Sequence, residues 1–564
     1  MCGIAGVWGT SDEALVERVM DGLVHRGPDG SGMHVQPGGV LGHRRLAIMD
    51  PHGGAQPLYN ETRTASIVAN GEIYDFPALR AELAERHTFA TMSDTEAILH
   101  LFEERGVDTP AALGGMFAFA IADQDHLFLA RDPIGIKPLY YGRGVDSAGA
   151  NVTAFASEMK PLADWVDELH EFPAGTYFDS RVGFVPYYRV PTAPPAERST
   201  DEHVALVRQG LEDAVESHLM SDVPVGAFLS GGLDSSVIAA LAKRHVEELH
   251  TFSVGLAGSR DIVAARRVAA HIGSIHHEYL MTPAEVVEKL PEIVHALESF
   301  DQDLVRSAIP TYFCSRLAAK HVKVILTGEG ADELFAGYDY HKTVSDPATL
   351  HQELCRSVST LHNINLQRVD RLTMLHSLEG RVPFLDTDFI ALALTVPAEL
   401  KLKAMPDGQL MEKWVLRTAC QDLLPADIVW RCKEQFDEGS GTVDLLGEAL
   451  GPLLEGIDLE SYRASVDGSV RSAEEALYHR ILCDSYVRPE MILRNVARWT
   501  EDRRLGLEQA HDLTVGVDVD ILSARRLGQA RHRPDVAEQR RDEARAGGQR
   551  DLPDGHPEAR GPVP

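Results

Sequence analysis

The chain has 564 residues and a formal net charge of −31, from 54 Lys and Arg against 85 Asp and Glu. A chain of this length is too long for one hydrophobic core, so we expect two domains or more. Hydrophobic residues make up 44% and charged residues 25%, which excludes a collagen-like, coiled-coil or wholly disordered chain. Because so negative a protein would repel a phosphate backbone, we expect no nucleic-acid partner.

The six cysteines are irregularly spaced and form no C-x-x-C pair. This pattern supports neither a disulfide framework nor a zinc knuckle. No run of about 18 apolar residues predicts a membrane span, and the first residues lack the basic and apolar regions of a secretory signal. We therefore expect a cytoplasmic protein with no membrane partner. The sequence leaves a monomer and a homodimer both open.

Residues 2–190 are predicted to form a first, α+β domain of many short strands and few helices. Turn signals, among them Asn70-Gly71, separate these strands. Amphipathic helices are predicted at Phe76–Arg86 and at Asp94–Glu104, the second with Ser93 as its N-cap. The predicted strands include Ile4–Trp8, Ser66–Asn70, Met116–Ala122 and Leu127–Arg131.

The order of predicted helices and strands changes after a proline-rich, polar stretch at 191–203, which we interpret as a linker. Over residues 204–505 strands alternate with helices, which predicts an α/β domain with a doubly wound parallel sheet. The predicted elements are helix 204–219, strand 223–229, helix 235–245, strand 250–254, helix 260–272 and strand 322–327. Residues 515–564 nearly lack large apolar side chains, so a disordered tail is predicted.

Cys2 is the first candidate catalytic residue. If Met1 is removed, Cys2 carries a thiol and a free α-amine, and an amine with a pKa of about 7.7–8.0 can accept the thiol proton near neutral pH. Taken alone, a small buried cysteine before a strand is the simpler interpretation. Asn70 and the Gly71 N–H could form an oxyanion hole beside it, although Asn-Gly pairs also form plain hairpin turns.

Three charged residues could hold an amino-acid substrate near Cys2. Arg45 offers a two-pronged guanidinium for a carboxylate, and Glu72 and Asp94 could receive an α-ammonium. Each alone is an ordinary surface or turn residue, but together they would grip an amino acid at both ends. The side-chain amide of that amino acid would then be left for the thiol.

The motifs around these residues resemble the glutaminase domain of class II glutamine amidotransferases. They are MCGIAGVWG, HRGPDG (25–30), GHRRLAIMD (42–50), QPL (56–58), NGEIYDF (70–76), SDTE (93–96), GMFAFAI (115–121), RDPIGIKPLYY (131–141) and FASEMK (155–160). The resemblance implies an αββα sandwich of the N-terminal-nucleophile type, in which Cys2 releases ammonia from glutamine. It implies a glutamine site made of Arg45, Leu46, Ala47, Ile48, Met49, Asn70, Gly71, Glu72 and Asp94.

A second candidate site follows the predicted strand 223–229, in the loop Ser230-Gly231-Gly232-Leu233-Asp234-Ser235-Ser236. Its two glycines let backbone N–H groups turn inward, and the serine hydroxyls and the next helix's N-terminus favour an anion. The loop lacks the lysine of the G-x-x-x-x-G-K-[ST] pattern. Asp234 makes sense there as a magnesium ligand. The alternative is a plain Gly-Gly turn.

A similar arrangement follows the predicted strand 322–327, where Gly328 to Glu333 open another helix. Parallel strands would bring Glu329 and Asp332 to the same sheet edge as Asp234. Two aspartates bridged by magnesium to a triphosphate would be stable, whereas bare aspartates would repel it. The alternative is an acidic helix N-terminus, which the helix dipole favours.

These loops resemble the ATP-pyrophosphatase motifs of asparagine synthetases. The matching segments are SGGLDSS, GEGADELFAGY (328–338), TFSVG (251–255), RSAIP (306–310), LEGRVPFLD (378–386) and KEQF (433–436), so the resemblance spans residues 2 to about 490. It implies an ATP site made of Leu229, Ser230, Gly231, Gly232, Asp234, Ser235, Ser236, Val254, Thr327 and Gly328. It implies that Asp234 and Asp332 bind Mg²⁺ and that Glu329 and Lys433 have catalytic roles. Arg306 is a further candidate, for recognition of the carboxylate of the acceptor substrate.

Together the resemblances imply a two-site enzyme that uses glutamine, aspartate and ATP. Aspartate would attack the α-phosphate of ATP to give β-aspartyl-AMP and pyrophosphate, and ammonia made at Cys2 would displace AMP to give asparagine. The main alternative is an amidotransferase that acts on a different carboxylic acid. A β-lactam-synthetase-like cyclase would not need Cys2, and a catalytically silent protein would need neither site.

Overall fold

A computed structural model describes residues 2–124, 126–146, 149, 151–256, 259–431, 442–466 and 470–498. These residues belong to one compact unit. The tail predicted to be disordered, 515–564, and Lys433 lie outside the described residues.

The first domain is built on two six-stranded antiparallel sheets. One has the order β10-β8-β9-β1-β3-β2 and the other β12-β11-β7-β6-β5-β4. The strands are β1 (Gly3–Trp8), β2 (Gly30–Gln36), β3 (Gly39–Arg45), β4 (Leu58–Tyr59), β5 (Ala65–Ile73), β6 (Gly115–Asp123), β7 (His126–Arg131), β8 (Tyr140–Val145), β9 (Asn151–Ala156), β10 (Glu168–Glu171), β11 (Thr176–Asp179) and β12 (Gly183–Pro186).

The two sheets pack face to face, because apolar side chains of both meet in one buried cluster that includes Ile4, Val68 and Phe155. Four helices belong to this domain: α1 (Glu13–Asp21), α2 (Phe76–Leu83), α3 (Asp94–Arg105) and α4 (Lys160–Ala163). Helix α1 covers the outer face of the first sheet, and α2 and α3 cover the second. This is the αββα sandwich implied by the resemblance.

One prediction about the first domain differs from the structure. The predicted turn at Asn70-Gly71 lies inside β5, where Gly71 is paired with Phe117 of β6. A Cβ atom at Gly71 would lie 2.2 Å from the Met116 carbonyl oxygen, so glycine is required here by the close approach of the neighbouring strand. The predicted Ser93 N-cap of α3 is confirmed, since its hydroxyl accepts the Thr95 N–H.

The second domain contains a five-stranded parallel sheet in the order β15-β14-β13-β16-β17, and a small hairpin of β18 and β19. The strands are β13 (Val225–Phe228), β14 (His250–Gly255), β15 (Ile275–Leu280), β16 (Val324–Leu326), β17 (Glu379–Arg381), β18 (Lys403–Ala404) and β19 (Leu410–Met411). The chain reverses its direction of winding between the neighbours β13 and β16. Ligands of open α/β sheets bind at the carboxyl ends of the strands at this reversal.

Helices follow most of these strands, as the alternating pattern predicts. They are α5 (Thr200–Ser217), α6 (Leu233–Lys243), α7 (Arg260–Ile272), α8 (Pro283–Leu297), α9 (Gln302–Ala318), α10 (Ala331–Leu334), α11 (Pro347–Ser359), α12 (Asn365–Met374), α13 (Thr387–Leu394), α14 (Ala398–Lys401), α15 (Trp414–Ala419), α16 (Ala426–Val429), α17 (Thr442–Leu454), α18 (Leu459–Ser465), α19 (Ala473–Ser485) and α20 (Pro489–Leu493). None of the helices in the described ranges has the length and hydropathy needed to cross a bilayer.

The end of the predicted linker is helical. Helix α5 begins at Thr200 rather than at residue 204, because Ser199 and Glu202 form a capping box there. The Ser199 hydroxyl accepts the Glu202 N–H, and the Glu202 carboxylate accepts the Ser199 N–H at 2.8 Å. This reciprocal pair satisfies backbone donors at the helix start.

Candidate active sites

Cys2 lies directly before β1 and is buried. Its N–H donates to Asn70 Oδ1 at 2.9 Å, and its carbonyl accepts from Arg26 Nε at 3.1 Å. Burial raises the pKa of the Cys2 thiol, and the negative charge of Glu379 adds to this. The thiol therefore needs a base close by, and the nitrogen of the same residue is held in a fixed position by Asn70.

Two N–H donors of β5 are available beside Cys2. Since Asn70 Oδ1 accepts the Cys2 N–H, its Nδ2 is the remaining donor, and this atom is buried without a hydrogen-bond partner. Phe117, opposite Gly71, uses its own N–H and carbonyl on Asp132. In an antiparallel ladder this directs the Gly71 N–H away from β6. Asn70 and Gly71 thus present the donor types that stabilise an oxyanion.

Glu72 and Asp94 form a buried acidic pair next to these donors. Burial, and then the charge of Asp94, raise the pKa of Glu72 well above its usual range. Burial also raises the pKa of Asp94 to about 6, although its Oδ2 accepts the Ile73 N–H at 2.9 Å. A cation between these two carboxylates would stabilise their charged forms.

Arg45 contacts the backbone of the loop that follows β3. Its Nη1 donates to the Pro51 carbonyl at 3.1 Å, and its Nη2 donates to the carbonyls of Asp50 at 2.6 Å and Met49 at 3.3 Å. The guanidinium thus holds the loop after β3 in place. Leu46, Ala47 and Ile48 begin this loop and are buried, and Cys2 Sγ lies 3.9 Å from the Leu46 carbonyl oxygen.

Sequence reasoning missed Arg381 and Glu379 of β17, which reach the first site from the second domain. Arg381 is fully buried, and its Nη2 lies 3.2 Å from Glu72 Oε2. Its Nε donates to Glu379 Oε1 at 2.6 Å. Both residues are part of the LEGRVPFLD segment, but 307 positions separate Glu72 from Glu379, so no local pattern could reveal their proximity.

A second buried ion-pair cluster also joins the domains. Arg26 Nη1 lies 2.7 Å from Glu158 Oε1 and 2.7 Å from Asp370 Oδ2. Arg26 also holds the Cys2 carbonyl, so one side chain connects Cys2 to α12 of the second domain. Removing one partner of such a buried group would leave a desolvated charge, which costs about 3–5 kcal/mol.

The second candidate site is a cavity at the carboxyl ends of β13, β14 and β16. Eight of the ten predicted ATP residues line it: Leu229, Ser230, Gly232, Asp234, Ser235, Val254, Thr327 and Gly328. Gly231 and Ser236 do not line it. The Ser236 side chain is fully buried in α6, so it is not a donor to the cavity. Gly231 has φ +76°, which a glycine adopts without strain, and turns the loop.

Asp234 and Asp332 converge on one point, as predicted. The Nζ of Lys413 lies 2.5 Å from Asp234 Oδ2 and 2.5 Å from Asp332 Oδ1. Although burial would lower the pKa of Lys413, the two carboxylates raise it above its usual range. A Cβ atom at Gly337 would lie 1.9 Å from Asp332 Oδ1, so this glycine leaves room for the pair. Sequence reasoning missed Lys413.

The remaining predicted residues of this site differ in placement. Glu329 lines the cavity and pairs with Arg368, a residue that sequence reasoning missed. Arg306 does not line it, because its Nε and Nη2 donate to the two oxygens of Glu474 at 2.9 and 2.7 Å. Arg306 is therefore held by α19, and its contact with an acceptor carboxylate stays a prediction. Lys433 lies outside the described residues.

Comparisons with known proteins agree with this arrangement. Residues 1–190 match the glutamine amidotransferase domain, and residues 206–348 and 343–488 match asparagine synthase. Asparagine synthetase [glutamine-hydrolyzing] 2 of Arabidopsis thaliana is 39% identical over 511 residues, which cover 86% of this chain and 87% of the relative. Asparagine synthetase B [glutamine-hydrolyzing] of Escherichia coli K12 is 39% identical over 85% of this chain and 90% of the relative. The chain therefore belongs to the asparagine synthase family and carries a glutamine amidotransferase domain at residues 1–190.

Proposed function

We propose that this protein is a glutamine-hydrolysing asparagine synthetase that amidates aspartate with the consumption of ATP. The observation that carries this function is the pairing of the two family domains in one chain, over most of the length of relatives that bear this name. The two buried sites supply the residue types that the two half-reactions need. The roles of individual residues are part of the same proposal.

In the first half-reaction the Cys2 thiolate attacks the side-chain amide carbon of glutamine. After removal of Met1, the α-amine of Cys2 takes the thiol proton and later passes it to the departing ammonia. Asn70 Nδ2 and the Gly71 N–H stabilise the negative oxygen of the tetrahedral intermediate. Water then hydrolyses the thioester, which releases glutamate and restores the thiol.

Glutamine is held through its α-ammonium by Glu72 and Asp94, and its carboxylate lies toward Arg45. The support for this placement is the raised pKa of both carboxyls, because a bound ammonium would favour their ionised forms. Arg381, at 3.2 Å from Glu72, holds that carboxylate from the second domain. Glutamine binding is thereby linked to the position of β17.

Glutamine binding should weaken as the pH falls through the pKa of Asp94, about 6. A raised pKa means that the carboxyl is protonated below this value and no longer attracts the ammonium. We expect KM for glutamine to rise up to about tenfold per pH unit below the pKa. Asp94→Asn should raise KM at neutral pH and flatten this dependence. Glutamate release measured between about pH 5 and pH 8 tests it, and a KM of the native enzyme that stays constant would contradict the assignment.

In the second half-reaction the β-carboxylate of aspartate attacks the α-phosphate of ATP, and pyrophosphate leaves. The donors of the loop after β13 face the phosphates, and the Lys413 ammonium between Asp234 and Asp332 offsets their negative charge. The two carboxylates fit Mg²⁺, since they already converge around one cation and offer the hard oxygen ligands that it prefers. When bound, Mg²⁺ neutralises charge on the triphosphate. Glu329 and Lys433 are proposed to act in forming and resolving the acyl-adenylate.

Ammonia then displaces AMP from β-aspartyl-AMP to give asparagine. Between the domains, Leu46, Ile48 and Met116 belong to the same buried apolar cluster as Leu233 and Val382 of the second domain. Such surroundings keep water away from the region between the sites.

The cysteines of the described chain are all free thiols, which supports a reducing, cytoplasmic setting for the enzyme.

The function is tested by following labelled nitrogen into the product. The enzyme is given glutamine with a labelled amide nitrogen, ATP, Mg²⁺ and aspartate, and mass spectrometry is used to search for labelled asparagine together with AMP and pyrophosphate. A parallel set replaces aspartate by other carboxylic acids. Pyrophosphate release that depends on another acid and not on aspartate would replace the proposed acceptor.

A further inference from the structure

A group of polar side chains on the helix-covered side of the first domain belongs to neither active site. Glu61 follows β4, His87 follows α2, and His100 and Glu103 lie one turn apart on α3. Each residue offers one carboxylate oxygen or imidazole nitrogen that lies within 4.8 Å of the corresponding atoms of the other three. His100 is fully buried, whereas Glu61 and Glu103 reach the solvent, so an ion has an open approach.

The distances between the histidine nitrogens and the carboxylate oxygens of this group are close to those of a tetrahedral metal site. His100 Nδ1 lies 2.9 Å from Glu103 Oε2 and 3.7 Å from Glu61 Oε2. His87 Nδ1 lies 3.4 Å from Glu61 Oε1 and 3.6 Å from Glu103 Oε2. A tetrahedral zinc with ligands at about 2.0–2.1 Å has ligand-to-ligand distances of about 3.3 Å. Small side-chain rotations would therefore place all four ligand atoms around one ion.

The outer nitrogens of both histidines face carboxylates. His87 Nε2 lies 3.1 Å from Glu104 Oε1, and His100 Nε2 lies 3.6 Å from Glu96 Oε1. A carboxylate on the far nitrogen sets the ring orientation and raises the basicity of the inner nitrogen, which is the usual environment of a metal-bound histidine. Both inner Nδ1 atoms are thereby directed into the group.

The two carboxylates are positioned in the same way. Glu103 Oε1 accepts the Asn60 Nδ2–H at 2.8 Å, and Glu61 Oε1 accepts the Thr88 N–H at 2.9 Å. The other oxygen of each side chain, Oε2, faces His100 Nδ1, at 2.9 Å from Glu103 and 3.7 Å from Glu61. The four ligands thus come with a second layer of contacts already in place.

We propose that Glu61, His87, His100 and Glu103 form a structural zinc site. Two neutral imidazoles and two carboxylates balance the charge of one divalent ion, and nitrogen with oxygen ligands suits zinc. With four protein ligands the site has no open position, so it is not catalytic. It would join the turn after β4, the end of α2 and α3, the helix whose first residue is Asp94 of the glutamine site.

A second group, His250, His277 and His321, is a weaker candidate for the same ion. It contains three imidazoles without a carboxylate among its members, and His250 Nδ1 and His277 Nε2 are hydrogen-bonded to each other at 2.9 Å. The three imidazoles carry no negative charge that would balance the charge of a divalent ion there. This group therefore serves as an internal comparison in the test.

Zinc titration of the full-length protein tests the proposal. Protein stripped of metal with a chelator and kept in excess Mg²⁺ is titrated with ZnCl₂ by calorimetry. We expect one saturable site in the native chain. Glu61→Gln and His87→Gln each remove one ligand and should weaken zinc binding by at least about 10- to 100-fold, the range found for losses of even second-layer partners.

Two control variants separate this site from the alternatives. Glu82→Gln removes an exposed carboxylate of α2 that pairs with Arg105, and His277→Gln removes one member of the three-histidine group. Both should bind zinc as the native chain does. If Glu61→Gln hydrolyses glutamine at the native rate, this variant is folded. His87→Gln tests the loss of a second ligand independently of Glu61. Native affinity in both ligand variants, loss of binding in His277→Gln, or no saturable site in the native chain would overturn the proposal.

Discussion

Replacing Cys2 with alanine should abolish the release of glutamate from glutamine while leaving asparagine formation from added ammonia. The variant lacks the thiol that attacks the amide, and loss of a nucleophile lowers kcat on the order of 10⁴-fold or more. Cys2 is not among the residues that line the second cavity, so adenylation should continue. Glutamate, pyrophosphate and asparagine are measured in parallel with either nitrogen source.

The matched control is Cys483→Ala, which removes a half-buried thiol of α19 outside both sites. It should retain both activities. If Cys2→Ala lost ammonia-dependent synthesis as well, the two sites could not be separated as proposed. Mass measurement of the intact native enzyme belongs to this test, because a chain that keeps Met1 would have no free α-amine on Cys2 to act as the base.

Replacing Asp234 with asparagine should have the converse effect. It removes one of two carboxylates that lie 2.5 Å from Lys413 Nζ, and with it one proposed ligand of Mg²⁺. Loss of one aligned electrostatic group in an active site lowers kcat on the order of 10²- to 10³-fold. We expect pyrophosphate release to fall by this factor, while glutamine hydrolysis at Cys2 continues.

Asp213→Asn is the control for this change of charge, because Asp213 is an exposed residue of α5 that accepts a hydrogen bond from Gln209. It should leave both activities intact. The dependence of pyrophosphate release on Mg²⁺ concentration adds a second measurement, since a lost ligand should shift it to higher concentration. An Asp234→Asn enzyme with native pyrophosphate release would remove Asp234 from the proposed metal site.

Much of the fold could be predicted from local patterns. Helix α7 occupies the predicted residues 260–272, Ser93 caps α3 as predicted, and the strands of both domains appear close to their predicted positions. These features depend on side-chain periodicity and capping, which involve residues a few positions apart. The prediction of a turn at Asn70-Gly71 is wrong. An Asn-Gly pair is typical of turns, but here Gly71 allows a close contact between two strands.

The sequence by itself determined which chemical groups this protein has and where they stand along the chain: a cysteine before the first strand, and glycine, serine and aspartate at strand ends. Only the tertiary structure decided that Lys413 lies between Asp234 and Asp332, that Arg381 reaches Glu72, and that Arg306 is occupied by Glu474. The physical reason is distance along the chain. These pairs are brought together by the packing of separate elements, and a buried charge takes whichever partner that packing supplies.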